Sequence, residues 1–152
     1  MNGFPRDKEE RLLELLEQEL GLFDEIREQT IKQAGLLEAD DTEGFSRSLD
    51  DRQEIIEKIN GLHQEHDVLM QSYVSFSASP DGEKIETIES ASGRLDAVIR
   101  ECIGLNEKNT DAAKGKAEEY IKQIGEMSHR RKSLGKYAQS VPNNPELFDK
   151  MT

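Results

Sequence analysis

Residues 40–44, Asp-Asp-Thr-Glu-Gly, interrupt a helical pattern that otherwise runs through the first half of the chain. The sequence has no proline between Pro5 and Pro80, and one helix over that whole stretch would be too long for a compact domain. Short polar residues and glycine favour turns and helix caps. The five residues therefore predict a short connection between two helices, and a short connection makes the two helices antiparallel neighbours.

Apolar residues recur at spacings of three and four on both sides of this break, as they do along the buried face of a helix. The stripe before the break comprises Leu12, Leu13, Leu16, Leu20, Phe23, Ile26, Thr30, Ala34 and Leu37. The stripe after it comprises Phe45, Leu49, Arg52, Ile56, Ile59, His63, His66, Met70 and Tyr73. We therefore predict helices over residues 7–39 and 43–77, each about 50 Å long at ~1.5 Å per residue.

A second turn follows at residues 77–82, Ser-Ala-Ser-Pro-Asp-Gly, which combine residue types that end helices. Beyond this turn, Ile85 and Ile88 predict a short helix over residues 83–91. We expect that short helix to bend away at Ser92-Gly93, because glycine in a helix interior lowers its stability.

A third long stripe predicts a helix over residues 94–137. Its members are Leu95, Ile99, Cys102, Asn106, Asn109, Ala113, Ala117, Tyr120, Ile124, Met127 and Leu134. Residues 139–152 contain Pro142 and Pro145 and are predicted to be an extended or disordered tail. Residues 1–138 would then form a single helical domain.

The composition agrees with narrow buried stripes on long helices. Of the 152 residues, 34% are hydrophobic and 34% are charged, and tryptophan is absent. A chain so poor in apolar residues favours elongated helices over a wide globular core. The predicted fold is all-α: an elongated antiparallel three-helix bundle with coiled-coil-like packing and a loose C-terminal tail.

Charge and segment composition exclude several classes of protein. The net charge of −12 argues against nucleic acid and against an anionic membrane surface, since both attract basic faces. No stretch approaches the ~20 apolar residues of a membrane span, so no membrane insertion is expected. The N-terminal residues lack an apolar signal core, and the only cysteine, Cys102, cannot form an internal disulfide. We expect a cytoplasmic protein.

Residues with catalytic or metal-binding chemistry are few. His63 and His66 lie three residues apart and could share a metal, but no third ligand is evident on that face. Histidines at such positions are far more often packing residues, and Cys102 resembles a small buried hydrophobe. The many carboxylates fit solvated helix faces. We therefore expect no enzyme activity, no cofactor and no metal site.

Two asparagines fall in the third stripe, within the segment Cys-Ile-Gly-Leu-Asn-Glu-Lys-Asn of residues 102–109. An amide in an apolar seam weakens packing, and it either fixes helix register or marks a seam left open. A thinly packed seam beside an apolar stripe can receive an amphipathic helix of another protein. The candidate cargo-binding residues are Leu95, Ile99, Cys102, Asn106, Asn109, Ala113 and Tyr120.

The segment Leu-Asn-Glu-Lys-Asn at residues 105–109, placed early in a long final helix, resembles the Leu-Asn-x-x-Asn signature of the FlgN-like flagellar export chaperones. Tyr137, some thirty residues later and just before the tail, fits the same pattern. The acidic balance, the small size and the leucine-rich first helix are also similar to that family. The specific signal is confined to residues 102–140.

The resemblance implies binding without catalysis. Members of the family hold the amphipathic C-terminal segments of hook-associated, or hook–filament junction, proteins, prevent premature assembly and deliver them to the flagellar type III export gate. The tyrosine matched by Tyr137 is associated with the gate, and the neighbouring Arg130 and Arg131 supply charge for that contact. Cations in the last turns of a helix also complement its macrodipole, by ~0.3–1 kcal/mol each.

Two alternatives follow from the same observations. A related chaperone of the filament cap protein has similar size and helicity. From a different class, a structural coiled-coil scaffold or adaptor would use an open stripe for self-association. The two classes differ in resting oligomeric state, because a scaffold forms stable oligomers without cargo and a chaperone takes up one amphipathic peptide.

Overall fold

The computed structural model describes residues 3–139, and side chains through residue 133. It contains three helices: α1 spans Arg6–Glu38, α2 spans Thr42–Ala78 and α3 spans Glu86–Gln139. The described residues contain no strand, and the predicted all-α fold is confirmed. From residue 140 onward, the predicted tail lies outside the described residues.

The connection between α1 and α2 follows from the Asp-Asp pair. Asp40 has a φ of 55°, the left-handed conformation that ends many helices. The backbone N–H of Asp41 donates to the Leu36 carbonyl at 2.9 Å, which satisfies one of the last carbonyls of α1. The Asp41 carboxylate then accepts from the Gly44 N–H at 2.9 Å and caps the start of α2. The ends of both helices lie within one residue of the sequence prediction.

The third helix begins at Glu86 and continues without a break, so the predicted short helix over 83–91 and the bend at Ser92-Gly93 are corrected. Ile88, Ala91 and Leu95 are all buried, and their spacings of three and four carry one apolar face past the glycine. Their burial outweighs the ~1 kcal/mol that an interior glycine costs a helix. The Ile85 N–H, just before α3, donates to the Tyr73 hydroxyl at 2.9 Å.

The chain divides into two compact units, Met1–Thr110 and Asp111–Thr152, where the sequence predicted one domain over residues 1–138. Among the described side chains, every buried one lies in the first unit. The described part of the second unit, residues 111–139, is helical throughout.

Successive helices in the first unit run antiparallel, which places α1 and α3 parallel. In the contacts between α1 and α3, the residue numbers rise together along the two helices. They are Glu17 with Arg94, Phe23 with Cys102, and Thr30 with Asn109. Contacts between α1 and α2 advance in opposite directions, from Arg11 with Glu65 to Gln33 with Arg52.

The core of the first unit has two apolar clusters. The larger cluster comprises Phe4, Leu12, Leu16, Tyr73, Ile88, Ala91 and Leu95. Phe4 and Tyr73 meet edge to face, with ring centroids 5.6 Å apart. The smaller cluster comprises Ile26, Ile55 and Cys102. All three helices contribute to both clusters or to their margins, so the first unit is a three-helix bundle.

Within residues 3–139, no helix has a stretch both long enough and apolar enough to cross a membrane.

Candidate docking site

Four of the predicted cargo-binding residues lie inside the three-helix bundle: Leu95, Ile99, Cys102 and Asn109. Leu95 and Cys102 are buried, and Ile99 is partly buried against the larger apolar cluster. The Cys102 thiol donates to the Phe23 carbonyl of α1 at 3.4 Å, and burial raises the pKa of that thiol. A cargo helix could reach these side chains only if α3 moved away from α1.

The two seam asparagines have different surroundings. Asn109 is buried, and its Nδ2 donates to the Thr30 carbonyl of α1 at 2.7 Å. Asn106 is exposed, and its Oδ1 accepts from Arg52 of α2 at 2.8 Å. Together the two amides attach α3 to both other helices, so in this structure they tie helices together within the bundle.

The bundle interior around these amides is polar. Gln33 is only 1% exposed, and its Oε1 accepts from the same Arg52 Nη1 at 3.1 Å. Its Nε2 and the Gln29 Oε1 are buried without a hydrogen-bond partner among the described residues. A buried polar atom without a partner costs roughly 1–3 kcal/mol. This part of the bundle is therefore less stable than the apolar clusters.

The described part of the second unit presents a group of exposed apolar side chains close together on α3. Among residues 111–133, the large exposed apolar side chains are Tyr120 at 50%, Ile121 at 69%, Ile124 at 63% and Met127 at 60% exposure. At about 100° per residue they share one side of α3. We call these four residues the exposed stripe. Ala113, about two turns before Tyr120, is half-buried.

The sequence identified only Tyr120 of this stripe as a site residue. Ile124 and Met127 belong to the third stripe predicted from the sequence. They follow Tyr120 at spacings of four and three residues, which indicated that the three residues share a helix face. Ile121 follows Tyr120 directly and widens the stripe. The periodicity could not show that these positions, unlike Leu95 and Cys102, would be exposed.

The predicted gate-contact residues are described in part. Arg130 is exposed and Arg131 is half-buried, and both belong to α3 in the second unit. The backbone of Tyr137 is helical, but its side chain lies outside the described residues. Its predicted contact with the export gate stays a prediction.

A buried ion pair joins α1 and α2. The Glu19 side chain is 6% exposed, and its carboxylate lies 2.7 Å from Nδ1 of His66, whose side chain is 16% exposed. The hydrogen bond to Glu19 raises the pKa of His66, although burial acts in the opposite direction; Asp67 and Asp96 raise it further. His63 instead pairs with Asp67 at 3.1 Å on an exposed face.

The two histidines therefore engage different carboxylates. Within residues 3–133, no three His, Cys, Asp or Glu side chains converge in a way that could hold a metal ion.

A shallow groove of about 520 Å³ lies between α1 and α2 on the first unit. Arg11, in its wall, binds both oxygens of Glu65 at 2.7 and 2.8 Å. This ion pair raises the pKa of Arg11 and lowers that of Glu65. Arg11 and Glu65 already satisfy each other, so this pair offers little to an incoming polar ligand.

No protein-family model, no curated protein sequence and no solved structure matches the chain. A function therefore has to be inferred from the residues of the chain and from the resemblance carried by residues 102–140.

Proposed function

We propose that the chain is a cytoplasmic flagellar type III export chaperone of the FlgN-like kind, which binds hook-associated proteins without catalysis. It would cover the amphipathic C-terminal segment of a hook–filament junction protein, prevent premature assembly and deliver that protein to the export gate. The observation that carries this proposal is the exposed stripe on α3. The Leu-Asn-Glu-Lys-Asn segment at residues 105–109 supports it by resemblance.

The exposed stripe has the physical properties of a helix-docking surface. Four large apolar side chains on one helix face leave more apolar area in water than scattered single residues do. Covering an isoleucine or methionine side chain contributes roughly 1.5–3 kcal/mol. An amphipathic cargo helix would cover the stripe with its own apolar face, and its polar face would remain in water.

The candidate cargo-binding residues of the first unit, from Leu95 to Asn109, give the proposal a second seat for cargo. Cys102 and Asn109 both bond the backbone of α1, so cargo could occupy this seat only if α3 moved away from α1. Arg130, Arg131 and Tyr137 remain the proposed contacts with the export gate.

A binding experiment tests the proposal. Synthetic peptides with the C-terminal sequences of hook-associated proteins from the same genome would be titrated into the purified full-length chain by calorimetry. Replacing Ile121 and Ile124 together with Asp should weaken binding at least about tenfold, because tenfold corresponds to 1.4 kcal/mol, less than one buried isoleucine contributes. Ile31→Asp is the matched control, since Ile31 is 53% exposed on α1 of the first unit.

Sedimentation of the protein alone separates this proposal from a scaffold. We expect one peptide bound per chain and no stable oligomer without peptide. A stable oligomer that dissociates when Ile121 and Ile124 become Asp would show a self-associating coiled coil. Equal loss of peptide binding in the Ile31 control would also contradict the assignment of the stripe. Peptides from the filament cap protein, tested in parallel, distinguish the related chaperone.

A further inference from the structure

Acidic and basic residues are unevenly divided along the chain. The first 110 residues contain twenty-six acidic and twelve basic residues, whereas residues 111–133 contain four acidic and six basic residues. The exposed stripe therefore lies on a stretch of α3 where basic residues outnumber acidic ones, in contrast to the first 110 residues taken together. The basic run at residues 129–132 belongs to this stretch.

The basic residues of this stretch are placed beside the exposed stripe. At about 100° per residue, Lys114 and Lys132 flank it on one side and Arg130 flanks it on the other. Lys116 and Arg131 also fall on the stripe side of the helix. The acidic residues fall on the opposite side: they are Asp111, Glu118, Glu119 and Glu126. Lys122 is the one basic residue on that far side.

A second copy of the same surface would be a poor partner for it. In a parallel pair of α3 helices, the flank with Lys114 and Lys132 would face the flank with Arg130. In an antiparallel pair centred on the exposed stripe, each flank would face its own counterpart, so Lys114 would lie opposite Lys132. Both arrangements oppose like charges, which destabilises a helix pair. The flanking charges thus disfavour self-association and favour a partner of opposite sign.

We infer that the exposed stripe accepts an amphipathic helix whose own apolar stripe is flanked by aspartate and glutamate. This inference rests on the proposed function and specifies the chemistry of the cargo segment. Lys114, Arg130 and Lys132 attract the acidic flanks while the two apolar stripes pack together. The first unit, with its excess of carboxylates, repels the same segment, so an acidic flank directs the cargo to α3.

Two designed helical peptides test the inference directly on the full-length chain. Both carry the same apolar stripe; one has glutamate at the flanking positions and the other has lysine. We expect the glutamate peptide to bind at least about tenfold more tightly at low ionic strength. The preference should shrink as salt is added, because exposed charges are screened beyond about 8–10 Å near physiological ionic strength.

Charge reversal on the protein supplies the matched comparison. Lys114→Glu with Lys132→Glu should reverse the preference between the two peptides. Lys122→Glu makes the same kind of charge change on the far side of the same helix and should leave the preference unchanged. Circular dichroism of each variant checks that α3 remains helical. A preference that survives the Lys114 and Lys132 reversals would overturn the inference.

The remaining outcomes separate this inference from the proposed function. If hook-associated peptides bind but neither salt nor charge reversal affects them, the charge inference fails and the chaperone proposal stands. If the glutamate peptide binds as expected and no hook-associated peptide binds, the chaperone proposal fails and the docking chemistry stands. Binding of the chain to vesicles of anionic lipid, lost on the Lys114 and Lys132 reversals, would assign the basic flanks to a membrane surface and overturn the inference.

Discussion

Asn109 illustrates how one side chain can link two helices. Its amide donates to a backbone carbonyl of α1, and the side chain is almost fully enclosed. We expect Asn109→Ala to lower the free energy of unfolding by about 1–2 kcal/mol, because it removes a buried hydrogen bond and leaves space in the seam. Urea denaturation followed by circular dichroism measures the change.

Asn106→Ala is the natural control for this experiment. Asn106 is three residues earlier on the same helix, but it is exposed and bonds a side chain. We expect its replacement to cost less than half as much. Equal losses of unfolding free energy at the two positions would mean that burial of the Asn109 amide does not contribute to stability.

The buried pair of Glu19 and His66 makes stability depend on pH. The pKa of His66 is raised in the folded chain, so the folded state binds the proton more tightly than the unfolded state does. The stabilisation from this pair is therefore fully present below the ordinary histidine pKa of about 6.5 and is lost as pH rises through the raised value.

We expect the stability difference between the native chain and His66→Gln to decrease as pH rises above the ordinary histidine pKa of about 6.5. Chemical denaturation over that pH range measures it. His63→Gln is the control for loss of a histidine–carboxylate pair, because the His63 pair with Asp67 is exposed to solvent and exposed pairs contribute little to stability. A constant difference for His66→Gln would show that Glu19 does not hold the proton on His66.

At the scale of elements, the helix ends were predictable because local residues determine them. Pro5 precedes α1, and the Asp40-Asp41 pair ends α1 and caps α2 through its own backbone and carboxylate. The start of α3 was not predictable from such signals. Ser92-Gly93 resembles a local break, but the burial of Ile88 and Leu95 on a common face keeps the helix continuous. Tertiary packing overrode a weak local preference.

Gly44 and Gly61 of α2 differ in the space that a Cβ atom would have, and Gly44 lies beside the Asp41 cap. A Cβ at Gly44 would lie 2.5 Å from the Asp41 carboxylate oxygen, whereas a Cβ at Gly61 would meet nothing within 4 Å. We expect Gly61→Ala to raise stability by roughly 0.5–1 kcal/mol, as it does in open helix interiors. Gly44→Ala should instead lower it, because the alanine displaces the capping carboxylate.

Thermal denaturation of both variants measures this contrast. Asp41→Ala should remove most of the difference between them, since without the carboxylate the alanine at position 44 has no cap to displace. An increase in stability from Gly44→Ala in the native background would contradict the capping role of Asp41.

At the scale of the whole molecule, periodicity predicted a continuous stripe on α3 but not which part of it would be covered. Leu95, Cys102, Tyr120 and Ile124 all belong to the same pattern, yet the first two are buried and the last two are exposed. Burial depends on which other helices pack against the stripe. The residues of α3 that bond α1, among them Arg94, Cys102 and Asn109, lie in the first unit.

The partners of the seam residues were beyond prediction for a related reason. A stripe identifies the face on which Asn109 lies, but the Thr30 carbonyl that accepts its hydrogen bond is set by the axial offset between α1 and α3. That offset results from the packing of all three helices together. The same holds for Glu19 and His66, since each residue alone is an ordinary polar position on an amphipathic helix.

The enclosed thiol of Cys102 can report separation of α3 from α1. It is the only sulfhydryl in the chain, and its sulfur rests against the backbone of α1. A chromogenic disulfide reagent can react with the Cys102 thiol only when α3 moves away from α1, so the rate of labelling reports how often this separation occurs. We expect labelling of the native protein to be far slower than labelling in denaturant. Cargo confined to the exposed stripe should leave that rate unchanged. Cargo that packs on Cys102 in place of α1 should change it, because the thiol is then covered by the cargo, so a stopped-flow trace would distinguish the two seats for the cargo helix.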